Sequence, residues 1–171
     1  MTKLIPILGL VTAIVMPVSA HAETASDFLR SLEGNYSGRG NATIVGDSKS
    51  RVACKINNVF SDGEDKLVVS GECASTKGKG KINGGIVAKN NTVRGSFVAP
   101  RKGMEVTQSS GSFNGSKMQL STSMVDQEAG KLVKVRQIIS KTGSGIKAEF
   151  FVFDNKTKQY EASGSIDLKK L

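Results

Sequence analysis

The feature that most constrains the fold is an alternation of apolar and polar residues that runs from about residue 35 to residue 168. A period of two is typical of β-strands that have one buried face. Turn sequences such as Asn90-Asn91 and Asn114-Gly115 separate most of the alternating segments. Ten such segments lie near residues 35–45, 50–60, 66–73, 80–89, 92–99, 104–113, 116–125, 132–140, 145–153 and 159–168. We therefore predict an all-β chain of about ten antiparallel strands.

The predicted inward faces also agree from one strand to the next, which is what a half-buried antiparallel sheet requires. Folding the chain at its turns brings four mostly apolar rows side by side. They are Met118, Leu120, Thr122 and Met124; Ile139, Gln137, Val135 and Val133; Ile146, Ala148, Phe150 and Val152; and Tyr160, Ala162, Gly164 and Ile166. Ten up-and-down strands with short links favour a single closed β-barrel, because an open sheet would leave two exposed edges. A two-sheet sandwich is the alternative.

A short N-terminal helix is expected over Ser26 to Leu32, with Phe28, Leu29 and Leu32 on one side. Phe151 and Phe153 would point outward if Phe150 and Val152 point inward. We expect the helix to cover these two rings. If the helix packs elsewhere, the rings form an exposed apolar patch and a partner site.

Two features of the interior leave alternatives open. Glycines recur at predicted inward positions, where they either allow the bends of a barrel or leave a cavity. They are Gly38, Gly40, Gly71, Gly84, Gly95 and Gly164. The segment from Met104 to Phe113 is almost entirely polar, so it is either a solvated edge strand, which we favour, or a source of polar groups inside the barrel.

The N-terminus has the pattern of a signal peptide. Lys3 precedes an apolar run of 15 residues from Leu4 to Val18, and Ala20-His21-Ala22 places small residues at a cleavage site. The run is shorter than the roughly 20 residues of a membrane-spanning helix, although an uncleaved anchor is the alternative. We expect residues 1–22 to be the signal peptide and residues 23–171 to form one domain. The mature protein would then be periplasmic or secreted, with export of the Gram-negative type.

The mature chain would contain no histidine, because the single histidine of the sequence, His21, lies in the leader. It would keep 23 of the 24 basic side chains and all 15 acidic ones, for a formal charge of +8. A Ser-His-Asp triad, a histidine-ligated zinc and a histidine-ligated haem are thereby excluded. No pair of carboxylates or lysines stands out as catalytic, so we expect no enzyme, no metal site and no cofactor.

Two cysteines, Cys54 and Cys73, remain in the mature chain. A hairpin that turns at Asp62 to Asp65 places them directly opposite each other, within reach of a disulfide. An exported protein favours that bond over two buried thiols.

The stretch from Leu32 to Gly40, Leu-Glu-Gly-Asn-Tyr-Ser-Gly-Arg-Gly, resembles the entry to the first strand of nitrobindin-like barrels and, more loosely, of lipocalins and other calycins. Tyr36 stands where that family has tryptophan. The resemblance implies a ten-stranded barrel in which Tyr36 plugs one end. It does not extend to haem binding, because nitrobindin-like proteins ligate haem through histidine.

We expect a binding barrel for a small apolar or amphipathic molecule. Its candidate ligand-binding residues share a predicted inward orientation. They are Tyr36, Met118, Leu120, Thr122, Val133, Val135, Gln137, Phe150 and Tyr160.

The alternative is an envelope protein that binds a polyanion or a protein through a basic outer surface formed by Arg94, Lys134, Arg136 and Lys147 with the loop at residues 77–81. An evenly charged surface with no partner is a third interpretation. Nucleic acid is not expected, because no aromatic platform is interleaved with the basic residues. The oligomeric state and the ligand's identity stay open.

Overall fold

The computed structural model describes residues 23–43, 50–76, 78–97 and 103–171. The expected signal peptide, residues 1–22, lies outside these ranges. One α-helix, α1 (Ala25–Ser31), precedes the strands, and a 3-10 turn, Asp62–Glu64, joins the second strand to the third. The strands are β1 (Gly34–Ala42), β2 (Ser50–Ser61), β3 (Lys66–Ser75), β4 (Gly78–Lys89), β5 (Thr92–Ser96), β6 (Met104–Phe113), β7 (Lys117–Asp126), β8 (Lys131–Thr142), β9 (Gly145–Asp154) and β10 (Gln159–Lys170).

The ten strands form one closed antiparallel barrel. Each strand pairs with the next along the chain, and β10 pairs with β1. The prediction of an up-and-down β-barrel of about ten strands with a short helix is confirmed, and the sandwich alternative is wrong. The polar strand β6 lies between β5 and β7, so the edge-strand interpretation of residues 104–113 is also wrong.

The registers follow the predicted faces in most of the barrel. The inward rows of β7 and β8 meet as expected, with Met118 opposite Ile139 and Leu120 opposite Gln137. The turn between β8 and β9 contains only residues 143 and 144. Ile139 therefore faces Ala148. In the predicted rows it faces Ile146, so the observed pairing is shifted by two residues. A shift of two residues keeps every side chain on its predicted face.

The register of β10 changes at a bulge. Ala162 pairs with Phe151 and Gly164 pairs with Phe150, so Ser163 is an extra residue on β10. One extra residue moves all preceding side chains to the opposite face. Gly164 and Ile166 point inward as predicted, but the inward placement of Tyr160 and Ala162 is wrong.

The helix closes one end of the barrel. The Phe28 ring lies 4.8 Å from the Phe113 ring, and Asn58 Nδ2 donates to the Leu32 carbonyl oxygen over 2.9 Å. Phe28, Leu29 and Leu32 are buried in the core. We call this end, where β1 begins and β2 ends, the closed end, and the opposite end, where β8 begins and β9 ends, the open end. The expectation that α1 covers Phe151 and Phe153 is wrong.

Local interactions define where the helix starts and how it is held. Thr24 and Asp27 form a capping box, with Asp27 N donating to Thr24 Oγ1 over 3.1 Å and Thr24 N donating to Asp27 Oδ2 over 3.2 Å. The hydrogen bond from the Thr24 side chain lowers the pKa of Asp27. Arg30 forms an ion pair with Asp62, and Ser26 Oγ donates to Asp65 Oδ1. No helix in the described ranges is long and apolar enough to cross a bilayer.

A disulfide joins Cys54 on β2 to Cys73 on β3. The two residues are directly paired, and their Cα atoms are 4.1 Å apart. The predicted bond is confirmed. It is consistent with an extracytoplasmic protein.

The inward glycines allow the strands to approach closely. A Cβ atom at Gly38, Gly40 or Gly71 would collide with the backbone of the neighbouring strand. These glycines therefore make room for the backbone of the neighbouring strand, as expected if they allow the bends of a barrel. They do not leave a cavity for a ligand.

Candidate functional site

The predicted ligand-binding residues separate into levels along the barrel axis. Tyr36, Met118 and Leu120 lie at the closed end and are between 0% and 2% exposed. Their side chains belong to the continuous hydrophobic core that includes the helix. Tyr36 Oη donates to the Glu33 carbonyl oxygen over 3.4 Å, and burial raises the pKa of its phenol. These three residues pack the closed end and are not accessible to a ligand from solvent.

The middle level is polar. Gln137 Oε1 accepts a hydrogen bond from Phe97 N, and Gln137 Nε2 donates to Ser96 Oγ, each over 2.9 Å. Gln137 thus links β8 to the end of β5, and these bonds give it a structural role. Thr122 is buried beside it on β7.

The polar strand β6 contributes to this level through Ser109, which is opposite Thr122. Ser109 Oγ accepts from Gly95 N over 2.8 Å and donates to the Gly95 carbonyl oxygen. Within the described ranges, β5 and β6 share two residue pairs, Thr92 with Ser112 and Val93 with Gly111. Side-chain hydrogen bonds therefore replace the backbone ladder between these strands.

The open level is apolar and only half-buried. Val133, Val135 and Phe150 point inward on β8 and β9, and each keeps part of its surface in contact with solvent. Val152, which is not among the nine predicted ligand-binding residues, is also half-buried. Of the nine predicted residues, Val133 and Val135 thus lie towards the accessible end of the barrel, whereas Phe150 pairs with Gln137 and packs against the hydrophobic core.

A groove opens in the wall at this end because β8 and β9 separate. Their pairing stops at Val135 with Val152. The preceding residues of β8 remain paired with β7, and the following residues of β9 remain paired with β10. The groove is open to solvent along one side, has a volume of about 510 Å³ and is lined by Lys131, Leu132, Val133, Lys134, Val152, Phe153 and Asn155. Its volume is within the range of small-molecule sites.

The bulge in β10 places Tyr160 on the outside of the barrel, where it joins a group that we call the outer cluster: Lys134, Arg136, Phe151, Phe153 and Tyr160. The Arg136 guanidinium lies 3.9 Å from the centre of the Tyr160 ring, and Lys134 Nζ lies 5.5 Å from that of Phe153. The Phe153 and Tyr160 rings meet edge to face at 5.3 Å. Cations over aromatic faces are attracted by the ring quadrupole. The Phe153 ring is therefore partly covered by Lys134 and Tyr160, and Phe151 is likewise half-buried.

The four predicted basic residues do not form one surface. Lys134 and Arg136 share the outer cluster, whereas Arg94 lies on β5, which is separated from β8 by two strands. Lys147 is ion-paired with Glu149 at 3.1 Å. The prediction of a basic loop at residues 77–81 is wrong for residues 78–81, which belong to β4 and pair with β3. Lys79 is ion-paired there with Glu72 at 3.8 Å, and residue 77 lies outside the described ranges.

The groove residues that the sequence did not predict are Lys131, Leu132, Val152, Phe153 and Asn155. The alternation assigns Leu132 and Phe153 correctly to the outer face and Val152 to the inner one. It carries no signal for the point at which two paired strands separate. Within the described part of the chain, no group of three or more histidine, cysteine or carboxylate side chains is arranged to hold a metal ion.

Comparison with known proteins extends the description of the fold. No family model and no curated protein matches the chain. A solved structure that matches is the crystal structure of Rv2717c from M. tuberculosis, with a TM-score of 0.62 and 13% sequence identity. The match covers 84% of this chain and 95% of that chain. At this level of identity the likeness concerns the fold alone.

Proposed function

We propose that this protein is an exported, calycin-like binding barrel that holds a small apolar or amphipathic molecule at its open end. The observation that carries the proposal is the groove between β8 and β9. Its apolar wall, Leu132, Val133, Val152 and Phe153, continues inward to the half-buried Val135 and Phe150. An apolar surface that is concave and reachable from solvent is typical of small-molecule sites.

The packing of the closed end limits where the ligand lies. Met118, Leu120 and Ile139 are 0% exposed, and the polar level of Gln137 and Ser109 separates them from the open end. The ligand in this proposal therefore occupies the open third of the barrel and the groove, and does not run along the whole axis.

The proposed calycin-like relationship and the proposed export are supported by different observations. The segment from Leu32 to Gly40 and the ten-stranded closed barrel favour a calycin-like relationship, which includes nitrobindin-like proteins. Haem is not part of the proposal, because the mature chain would lack histidine. The leader pattern and the disulfide between Cys54 and Cys73 support export to the periplasm or beyond.

Native mass spectrometry of the mature protein, purified from the periplasm and then denatured, tests the proposal. We expect a near-stoichiometric extra mass that is released on denaturation. The Leu132→Asp variant, which places a charge at a groove residue that is 50% exposed, should lose this mass. Val87→Asp is the matched control, because Val87 is 42% exposed on the outer face of β4. A bare polypeptide mass for the wild-type protein would contradict the proposal.

The outer cluster supports a second candidate, an interaction with an envelope polyanion. Lys134 and Arg136 are adjacent outward residues of β8, and each is held over an aromatic ring. We expect lipopolysaccharide to bind at low salt and to dissociate as the salt concentration rises, because screening weakens attraction between exposed charges. The absence of binding at low salt would count against this candidate.

A further inference from the structure

The charged residues that line the groove are both lysines, which favours a ligand that carries a negative charge. Lys131 and Lys134 line the groove together with apolar side chains and one amide, that of Asn155. Among the residues that the structure describes, no carboxylate lines it. Neither lysine takes part in any of the ion pairs among the described residues.

The nearest carboxylates in the pairing scheme are engaged in turns. Asp126 is opposite Lys131 on β7, and its Oδ1 accepts from the backbone N atoms of Glu128 and Ala129, each over 3.1 Å. Asp154 Oδ1 accepts from Lys156 N over 2.6 Å. Both carboxylates thus stabilise the loops at the open end and leave the two ammonium groups for another partner.

The two lysines lie on opposite faces of β8, because side chains three residues apart alternate across a strand. Lys131 belongs to the inward row and is exposed at the rim, whereas Lys134 is outward, with its Nζ above the Phe153 ring. The apolar residues Val133 and Val152 also line the groove, and both belong to the inward rows of their strands. A polar mouth therefore continues into an apolar interior.

We infer that the groove takes an amphiphile whose anionic head, a carboxylate or a phosphate, binds between Lys131 and Lys134 while its hydrocarbon chain enters the barrel between β8 and β9. This inference rests on the proposed function and specifies its ligand class. A charged head matches the two ammonium groups at the mouth. The chain would bury the half-exposed surfaces of Val133, Val135, Phe150 and Val152.

Isothermal titration calorimetry with three probes of equal chain length tests the inference. Decanoate, decyl phosphate and decanol are titrated into the mature protein at low salt. We expect decanoate or decyl phosphate, or both, to bind at least about tenfold more tightly than decanol, and this preference to shrink as salt is added. The tighter of the two anions identifies the head group.

The matched variants are a Lys131→Gln and Lys134→Gln double substitution and a Lys117→Gln and Lys169→Gln double substitution. Both remove two positive charges, but Lys117 and Lys169 are exposed at the closed end. We expect the groove variant to bind the anionic probes about tenfold more weakly and decanol unchanged. The control variant should remain close to wild type.

The outcomes separate the inference from the proposed function. Equal binding of decanol and the anionic probes, with no effect of the groove variant, would overturn the anionic head and leave the binding barrel standing. Equal weakening in both double variants would also overturn it, because the effect would come from net charge. If no probe binds, the proposed function and the inference fail together.

Discussion

Single residues inside the barrel differ in how well their polar groups are satisfied. Gln137 uses both ends of its amide, on Phe97 N and Ser96 Oγ. Among the described residues, none forms a hydrogen bond with the buried Thr122 Oγ1. A buried polar group without a partner costs free energy, whereas a satisfied one contributes a modest net gain. The two residues should therefore respond in opposite directions to apolar substitution.

We expect Thr122→Val to raise the free energy of unfolding by about 1 kcal/mol and Gln137→Leu to lower it by about 2 kcal/mol, because the second change leaves Phe97 N without its acceptor. Urea denaturation followed by circular dichroism measures both values. Two changes of the same sign would contradict the hydrogen-bonding scheme of the middle level.

Because the phenol of Tyr36 is buried, we expect the free energy of unfolding to depend on pH in the alkaline range. Burial raises the pKa of this phenol above the ordinary value of 10.0. As the pH rises through 10.0, the unfolded chain loses the phenolic proton before the folded chain does. The folded state then binds more protons, and the free energy of unfolding falls with increasing pH.

Tyr36→Phe should remove this contribution while retaining the ring. Between about pH 9 and about pH 11, we expect the variant to lose less stability than the wild type in urea denaturation. Both proteins share every lysine and Tyr160, so those groups cancel in the comparison. An identical loss in both proteins would show that Tyr36 titrates normally.

At the scale of elements, α1 forms part of the core although it has only seven residues. An isolated helix of this length is unstable in water. Its capping box, the ion pair of Arg30 with Asp62 and the burial of Phe28 hold it against the closed end. The helix therefore contributes to stability through its contacts with the strands.

Phe28→Ala should lower the free energy of unfolding by about 4 kcal/mol, because it removes a fully buried ring in contact with Phe113. Val68→Ala, at an outward position that is 41% exposed, is the control and should change it little. Urea denaturation of both variants provides the measurement. A loss below about 1 kcal/mol for Phe28→Ala would mean that the closed end does not depend on the helix.

The disulfide between β2 and β3 constrains the unfolded chain. The cysteines are 19 residues apart, and a loop of this length corresponds to about 3 kcal/mol in the loop-entropy model. The double variant Cys54→Ala and Cys73→Ala should lose at least that much stability, since Cys54 is also buried. Thermal unfolding under oxidising conditions checks this value. A variant as stable as the wild type would refute it.

The sequence predicted the elements well because strand alternation and turn residues are local signals. All ten strands, the helix and the direct pairing of Cys54 with Cys73 were predictable in this way. The bulge at Ser163 was not predictable, because the small residues from Ala162 to Gly164 continue the alternation without a visible break. Its consequence was large, because it moved Tyr160 from the predicted interior to the outer cluster.

At the scale of the whole molecule, the barrel is asymmetric along its axis. The closed end is packed by the helix, Tyr36, Met118 and Leu120, whereas Val133 and Val135 at the open end remain half-buried. Alternation predicts which residues point inward, but not how tightly each level is packed. Packing depends on where the helix docks and where β8 and β9 separate, and both follow from tertiary contacts. For this reason the predicted site residues were divided among the three levels and the outer face.

The central claim, that a ligand binds at the open end between β8 and β9, is tested most directly by nuclear magnetic resonance. Decanoate is titrated into the isotope-labelled mature protein, and the backbone amide shifts are followed. We expect saturable shifts concentrated at residues 131–135 and 150–155, with little change at Met118, Leu120 and the helix. Shifts centred on the closed end, or no saturable shifts at any concentration, would contradict it.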